Sequence, residues 1–256
     1  MGGLVAFPFV DETRLFACQG MTGATGNWYC GLHEVCEMAF VLHLLRPGDH
    51  FVDVGANVGS YTVLAAGGAR ARVTAIEPIA SSFAHLQRNV ALNGLGECVR
   101  CLQVGVSDQP GTLQFSTGLD TVNHVLAPGE DLPAVEVPVG RLDEFLGADA
   151  PVLVKIDVEG HELAVINGAL DTLSRPELLA VIMETNGSGL RYGIPDDALV
   201  AAMRSAGFMP YGYDPFAREL VPGGAANGNT IFVRSPAEVA ARVKTAPRHR
   251  LVNGEI

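Results

Sequence analysis

Two hydrophobic patterns alternate along this chain. Short continuous apolar runs are typical of strands buried on both faces, and between them apolar residues recur every three or four positions, as on one side of a helix. The runs that predict strands are residues 50–54, 72–76, 99–106, 152–156, 179–183, 209–213 and 230–233. The stretches that predict helices are residues 35–45, 61–66, 81–92, 142–146 and 196–206.

The order of these elements indicates an α/β fold with a mainly parallel sheet covered by helices on both faces. A Pro/Gly-rich loop without a helix (residues 214–229) joins the last two strands, so they should pair antiparallel. Residues 107–141 are rich in turns and predict a hairpin-like insertion. We divide the chain into an irregular N-terminal segment (1–30), a main domain (31–235) and a basic tail (236–256), expected to be a solvated helix with a frayed end.

Composition narrows the class of protein. A hydrophobic fraction of 48% with 18% charged residues excludes a disordered chain. The formal net charge of −11 argues against a nucleic-acid partner, because the phosphate backbone would be repelled. The odd count of five cysteines indicates reduced thiols and a cytoplasmic location. No apolar run reaches the roughly 18 residues that cross a bilayer, so we expect no stable membrane insertion.

A glycine-rich turn follows the first predicted strand of the sheet. Asp53 ends that strand, and Gly55 and Gly59 allow a tight turn and close approach of a ligand to the backbone. Glu77 ends the next strand, where an acid can accept both hydroxyls of a ribose. Together they predict nucleoside binding. Asn57 stands where a dinucleotide fingerprint needs glycine, and Asp53 would repel phosphate, so a cationic, phosphate-free ligand such as S-adenosylmethionine (AdoMet) fits better.

Two separate motifs resemble one known family. Residues 53–59, followed by Tyr61 and Thr62, resemble the AdoMet-binding turn of class I methyltransferases. The later segments 153–162 (LVKIDVEGHE) and 164–169 (AVINGA), with 141–146 (RLDEFL) ahead of them, are similar to the signature of the FkbM family. The resemblance covers roughly residues 30–235. It implies a Rossmann-like, seven-stranded, mostly parallel sheet with an antiparallel last strand, and O-methylation of sugars, glycolipids or polyketide-type natural products.

The resemblance also implies roles for individual residues toward AdoMet. Those expected to contact the methionine part or to lie beside it are Asp53 (toward the amino group), Gly55, Asn57, Gly59 and Thr62. Glu77 is expected to hold the ribose, and Asp108 to accept the adenine amino group, although a turn acid before Pro110 is the alternative for Asp108.

A second cluster follows the strand at residues 152–156. Asp157, Glu159 and His161 should meet at the sheet edge beside the glycine-rich turn. Methyl transfer to a hydroxyl needs in-line placement and an acceptor for the hydroxyl proton, so His161 or Glu159 is the candidate base, with Asp157 beside them. The alternative is that these residues cap the following helix and bind Lys155, which should pair with a carboxylate because it lies in an apolar strand.

Other residues are assigned to the acceptor or considered for a metal. The residues expected to border the acceptor are His33, Glu34, Asn123, His124 and Glu184. Asp157, Glu184 and Asn186 offer the oxygen ligands that suit Mg²⁺, but no dense ligand spacing is visible, so we expect no metal.

The leading hypothesis is an AdoMet-dependent O-methyltransferase of a small-molecule acceptor, with self-association left open. A nicotinamide-dependent oxidoreductase is one alternative, disfavoured by Asn57 and by the lack of a Tyr-x-x-x-Lys pair. A non-catalytic AdoMet-binding module is the other, disfavoured because both clusters are present.

Overall fold

The centre of the fold is one large sheet, flanked by helices and by three smaller sheets. It is seen in a computed structural model that describes residues 3–18, 21–223 and 228–256, and only the backbone of Asp120. The strands are β1 (Val5–Pro8), β2 (Arg14–Ala17), β3 (His50–Val54), β4 (Arg72–Ile76), β5 (Val99–Leu102), β6 (Gly105–Val106), β7 (Gly111–Ser116), β8 (Ala134–Gly140), β9 (Leu153–Ile156), β10 (Ala180–Glu184), β11 (Met209–Asp214), β12 (Glu219–Pro222), β13 (Asn229–Val233), β14 (Arg250–Leu251) and β15 (Gly254–Glu255). The α-helices are α1 (Thr22–Cys30), α2 (Val35–Leu44), α3 (Ser60–Val63), α4 (Ala80–Leu92), α5 (Leu142–Leu146), α6 (Glu162–Asn167), α7 (Leu170–Ser174), α8 (Asp196–Ser205) and α9 (Pro236–Lys244).

The main sheet has the strand order β12-β11-β13-β10-β9-β3-β4-β5. Its neighbours from β10 to β5 are parallel, whereas β13 is antiparallel to both β10 and β11. This confirms the mostly parallel, Rossmann-like α/β sheet with an antiparallel strand near its end. An eighth strand, β12, comes from the segment predicted as a loop and pairs antiparallel with β11. It is short and only partly covered, so its sequence lacks the continuous apolar run of an inner strand. Residues 224–227 of that loop lie outside the described residues.

The prediction of one continuous strand over residues 99–106 is wrong, because this segment forms two strands, β5 and β6. The chain leaves the main sheet after β5, and β6 pairs with β8 of a separate three-stranded sheet. Gly105 permits the crossing, because a Cβ there would lie 2.8 Å from Val139 and 2.9 Å from Phe115. The hairpin-like insertion is confirmed as the antiparallel pair β7 and β8.

The described residues of the N-terminal segment are ordered, so the prediction of an irregular segment is wrong. Strands β1 and β2 form an antiparallel hairpin, and α1 follows it. Phe9 and Leu15 are buried in the same apolar cluster as α2. The alternation of buried and exposed positions in β1 and β2 drives this packing, but it extends over only four residues in each strand.

The tail is also packed, which corrects the expectation of a frayed end. Helix α9 buries Val239 and Val243, and β14 and β15 form a short hairpin after it. His249 is buried and its Nδ1 lies 2.7 Å from Asp11 Oδ2, which ties the tail to the N-terminal hairpin.

Apolar side chains cover both faces of the sheet. One cluster joins α2, α3 and α9 to one face, and a second joins α5 to α8 to the other. No helix among the described residues combines the length and hydrophobicity needed to cross a membrane. Because β3, β4, β9 and β10 are parallel neighbours, their carboxyl ends meet at one edge, and this edge positions the candidate site.

Candidate active site

The turn after β3 approaches the end of β9 very closely. Gly55 has φ +79°, and a Cβ on it would lie 1.8 Å from the carbonyl oxygen of Asp157. The backbone N–H groups of Gly55 and Ala56 both donate to the carbonyl of Ile76 at 3.0 Å. Only glycine therefore fits position 55, and the turn is fixed against both neighbouring strands.

Glu77 holds this turn as well as bordering the site. Its Oε2 accepts a hydrogen bond of 2.8 Å from the N–H of Asn57, and its Oε1 accepts one of 2.8 Å from the N–H of Ile79. Asn57 has φ +49°, an uncommon conformation that this bond helps to maintain. Burial raises the pKa of Glu77 to about 7, against the lowering by the two backbone donors. The sequence did not predict this structural role.

Beneath the turn lies a buried polar group. Asp53 is fully buried, and its Oδ2 accepts a hydrogen bond of 2.7 Å from the Thr62 hydroxyl. Asp53 is the register partner of Lys155 on β9. Burial raises the pKa of Asp53, and the nearby Lys155 ammonium opposes this shift.

Lys155 makes the ion pair that its apolar strand predicted. Its Nζ donates to Asp157 Oδ2 at 2.7 Å and lies 4.9 Å from the centroid of the Tyr61 ring. Burial alone lowers the pKa of Lys155, but Asp157, Asp53 and Glu34 outweigh it and raise the pKa above its ordinary value. Lys155 is therefore charged at neutral pH.

Three carboxylates meet at the ends of β9 and β10. Asp157, Glu159 and Glu184 each place one oxygen within 4.8 Å of the others. Burial, with repulsion from Asp157 and Glu162, raises the pKa of Glu159 to about 7. Burial, with repulsion from Asp157 and Glu159, raises the pKa of Glu184 to about 9. Glu159 has φ +56°, so the turn holds this side chain in an uncommon backbone conformation.

These oxygens could hold a divalent cation, but the set differs from the one considered in the sequence. Glu159 joins Asp157 and Glu184, whereas the side-chain oxygen of Asn186 accepts a hydrogen bond of 2.8 Å from the N–H of Ser188. Carboxylates with raised pKa values instead carry protons near neutral pH, and this suits them to proton transfer.

Glu34, just before α2, adds a further carboxylate to the group formed by Asp157, Glu159 and Glu184. Glu34 Oε2 accepts a hydrogen bond of 2.7 Å from the Tyr61 hydroxyl, and its Oε1 accepts one of 2.8 Å from Asn229 Nδ2. His33 precedes it, and its N–H donates to Asn27 Oδ1 at 2.9 Å.

Most of these groups line one cavity of about 360 Å³, and this volume is in the usual range for a small-molecule site. The predicted site residues that line it are His33, Glu34, Gly55, Asn57, Glu77, Asn123, Asp157, Glu159 and Glu184. The structure thus brings together residues from β3, β4, β9 and β10 with residues that precede α2 and that follow β7.

The other predicted site residues do not line this cavity. They are Asp53, Gly59, Thr62, Asp108, His124 and His161. Asp53 has no exposed surface and does not line the cavity, so the structure gives no support for a direct contact between its side chain and a ligand there. His124 is buried and its Nε2 lies 3.2 Å from Glu130 Oε2, so its interactions lie within the insertion.

His161 does not line the cavity that the three carboxylates line. It borders a separate cavity of about 20 Å³, and its Nε2 is 3.1 Å from the Ser107 hydroxyl, which donates to Asp108 Oδ1 at 3.2 Å. Burial lowers the pKa of His161, and Asp108 partly opposes this shift. This placement favours Glu159 over His161 as the candidate base.

Sequence reasoning missed several residues that line the cavity. Lys155 and Tyr61 were not assigned a ligand role. Thr22, Gly23 and Thr121 also line the cavity and were not predicted to do so. The isolated lysine in an apolar strand was a signal for the first. No local signal connects α1 with the turn after β7, because their contact depends on the tertiary fold.

The fold is that of the Rossmann-like class I methyltransferases. This follows from the strand order of the main sheet and from the position of the cavity at the carboxyl ends of its parallel strands. Residues 53–209, more than half of the chain, match the methyltransferase FkbM domain. The chain belongs to the FkbM methyltransferase family.

Curated relatives are methyltransferases of modest similarity. The hexuronic acid methyltransferase AglP of Haloferax volcanii is 28% identical over 143 residues, which are 55% of this chain and 58% of that protein. Methyltransferase sdnD of Sordaria araneosa is 29% identical over 182 residues, 57% of this chain and 70% of that protein. Methyltransferase 1 of Beauveria bassiana is 29% identical over 49% of this chain and 60% of that protein. The matches thus span about three fifths of AglP and of methyltransferase 1.

Among solved structures, TYW2 of M. jannaschii in complex with AdoMet matches with a TM-score of 0.45 and 14% identity. The match covers 91% of this chain and 88% of that one. The assignment of the fold here depends on the strand order and not on this weak likeness.

Proposed function

We propose that the protein is an AdoMet-dependent O-methyltransferase that acts on a hydroxyl of a sugar, glycolipid or polyketide-type natural product. The observation that carries the proposal is the shared cavity, in which the turn of Gly55 and Asn57 lies beside Glu77 on one side and Glu159 and Glu184 on the other. The hexuronic acid substrate in the name of AglP supports a sugar hydroxyl as the acceptor class.

The residues present fit AdoMet. Gly55 and Ala56 line the cavity, so a ligand there can approach the turn, and Glu77 keeps acceptor capacity for ribose hydroxyls beside its two backbone donors. The surplus of carboxylates suits a ligand with a sulfonium. When bound, AdoMet supplies an electrophilic methyl group.

The chain itself has to place the acceptor oxygen and remove its proton. Glu159 is the proposed proton acceptor, because its pKa of about 7 leaves a substantial carboxylate fraction at neutral pH and still makes it basic enough. With AdoMet bound beside the turn, Glu159 would accept the proton of the acceptor hydroxyl as that oxygen is methylated, and AdoHcy would be the leaving group. Glu184, with a pKa of about 9, carries a proton near neutral pH and can donate a hydrogen bond to the acceptor.

The first experiment measures ligand binding to the whole chain by titration of S-adenosylhomocysteine (AdoHcy) and of NADH. Trp28 is the single tryptophan, and it lies on α1, whose Thr22 and Gly23 line the cavity, so its fluorescence can report binding. We expect AdoHcy to bind and NADH not to bind. Binding of NADH alone would instead favour the oxidoreductase alternative.

The second experiment measures transfer of labelled methyl from AdoMet to neutral and acidic sugars, to glycolipids and to polyketide alcohols.

Glu77→Ala is expected to weaken AdoHcy binding about tenfold or more, since the charge-assisted hydrogen bonds between the carboxylate and the ribose hydroxyls are lost. Glu77→Gln is the matched variant, because it keeps the size of the side chain and one acceptor for the turn. Unchanged AdoHcy affinity in Glu77→Ala would contradict the ribose assignment.

A further inference from the structure

Lys155 is a buried cation at the wall of the cavity. Its side chain is 5% exposed, and it is held by Asp157 on one side and by the Tyr61 ring on another. A lysine in this position is costly unless its charge is compensated, and the pair with Asp157 compensates it.

The ammonium of Lys155 has donor capacity left. It carries three N–H donors, and within the described parts of the chain one of them makes a hydrogen bond, to Asp157 Oδ2. Lys155 also lines the cavity. Its remaining donors are therefore available to a ligand there.

Lys155 is singular in the charge pattern of the site. Among the lining residues in the described parts of the chain, it is the one lysine or arginine. The acids around it are Glu34, Glu77, Asp157, Glu159 and Glu184. Among these charged side chains, Lys155 is the one that attracts an anionic group on a ligand.

The amino-acid end of AdoMet carries one carboxylate and one ammonium on the same carbon. We propose that Lys155 binds this carboxylate and that the free oxygen of Asp157 accepts a hydrogen bond from the ammonium. The ion pair of the protein and the zwitterion of the ligand then lie head to tail, so each charge meets its opposite. This inference depends on the proposed function, because it assigns a subsite to the proposed cosubstrate.

The test compares two ligands that differ only in this carboxylate. AdoHcy and its decarboxylated analogue S-adenosyl-3-thiopropylamine are titrated by calorimetry into the wild-type protein, Lys155→Met and Lys155→Arg. Lys244→Met is the control, since the second lysine of the chain is exposed and paired with Glu219 on the surface. We expect Lys155→Met to weaken AdoHcy about tenfold or more and to leave the analogue within about twofold of wild type. Lys155→Arg should restore part of the preference for AdoHcy.

A role limited to structure would weaken both ligands by the same factor, and that result would overturn the inference. Equal affinity of the wild-type protein for both ligands would overturn it without any variant. If Lys155→Met does not fold, the double variant Lys155→Met/Asp157→Asn removes both charges, and its preference between the ligands is compared with that of Asp157→Asn. Failure of the wild-type protein to bind either ligand would contradict the proposed function itself, whereas binding without discrimination contradicts only the role of Lys155.

Discussion

Glu184 offers a direct test of the electrostatics of the site, because its carboxylate repels its neighbours and gains little in return. Its Oε2 is buried and makes no hydrogen bond within the described residues, while Asp157 and Glu159 lie close by. The pKa of Glu184 rises from an ordinary value of 4.5 to about 9. The folded protein therefore holds a proton on Glu184 in a pH range where the unfolded chain has released it.

The sign of the effect on stability follows from this proton. Between pH 4.5 and about 9 the folded state binds more protons at Glu184 than the unfolded state does, so the contribution of Glu184 to the stability of the ligand-free protein falls as pH rises through this window. One pKa unit corresponds to about 1.4 kcal/mol, and partial solvation of the side chain reduces the cost of ionisation. We expect Glu184→Gln, which cannot ionise, to gain about 2 kcal/mol over wild type at pH 9 and almost nothing at pH 5.

The assay is urea unfolding of the ligand-free protein at pH 5, 7 and 9, followed by circular dichroism. Glu97→Gln is the matched control, because Glu97 is exposed in the turn before β5 and does not line the cavity. A gain for Glu184→Gln that is equal at pH 5 and pH 9 would refute the electrostatic reasoning. So would a variant that is less stable than wild type at pH 9.

Three further outcomes test the chemistry. Glu159→Gln should lower turnover about 10²–10⁴-fold with AdoHcy affinity retained. His161→Ala should keep more than about a third of wild-type turnover. A larger loss of turnover in His161→Ala than in Glu159→Gln would restore His161 as the base. The acidic limb of the wild-type pH profile of kcat/KM for AdoMet, which reports the ligand-free enzyme, should have its midpoint near 7, the pKa of Glu159, and a limb that is unchanged in Glu159→Gln would contradict this assignment. Turnover should survive EDTA; a loss that Mg²⁺ restores would show that Asp157, Glu159 and Glu184 bind a metal.

The sequence predicted the elements of the fold that have a strong hydrophobic pattern. Buried parallel strands such as β3 and β10 are continuous apolar runs, and they can be read without tertiary information. The hairpin of β1 and β2, the edge strand β12 and the packed tail were missed. They are short elements whose burial comes from distant partners, as in the bridge between Val10 and Leu251.

The site shows the same division. Glu77, Asp157 and Glu184 could be placed from the sequence, because each follows or ends a parallel strand and such ends meet at one edge. His161 could not be placed, since its direction depends on the turn that Gly160 allows. Gly160 has φ +104°, and a Cβ there would lie 2.7 Å from the carbonyl of Ser188. Glu159, just before Gly160, lines the main cavity, whereas His161, just after it, does not.

The charge of the cavity connects the fold to the proposed reaction. The parallel sheet forces carboxylates from three strand ends and from the start of α2 into one small volume, with Lys155 as their single lysine or arginine counterpart among the described lining residues. Burial, together with this repulsion, raises the pKa values of Glu77, Glu159 and Glu184, so protons relieve part of the negative charge. A ligand with a sulfonium and an ammonium can replace those protons as the source of positive charge. It would thereby leave Glu159 ionised when the acceptor is in place. On this reasoning the same surplus of carboxylates that destabilises the empty site favours the charged cosubstrate and prepares the base.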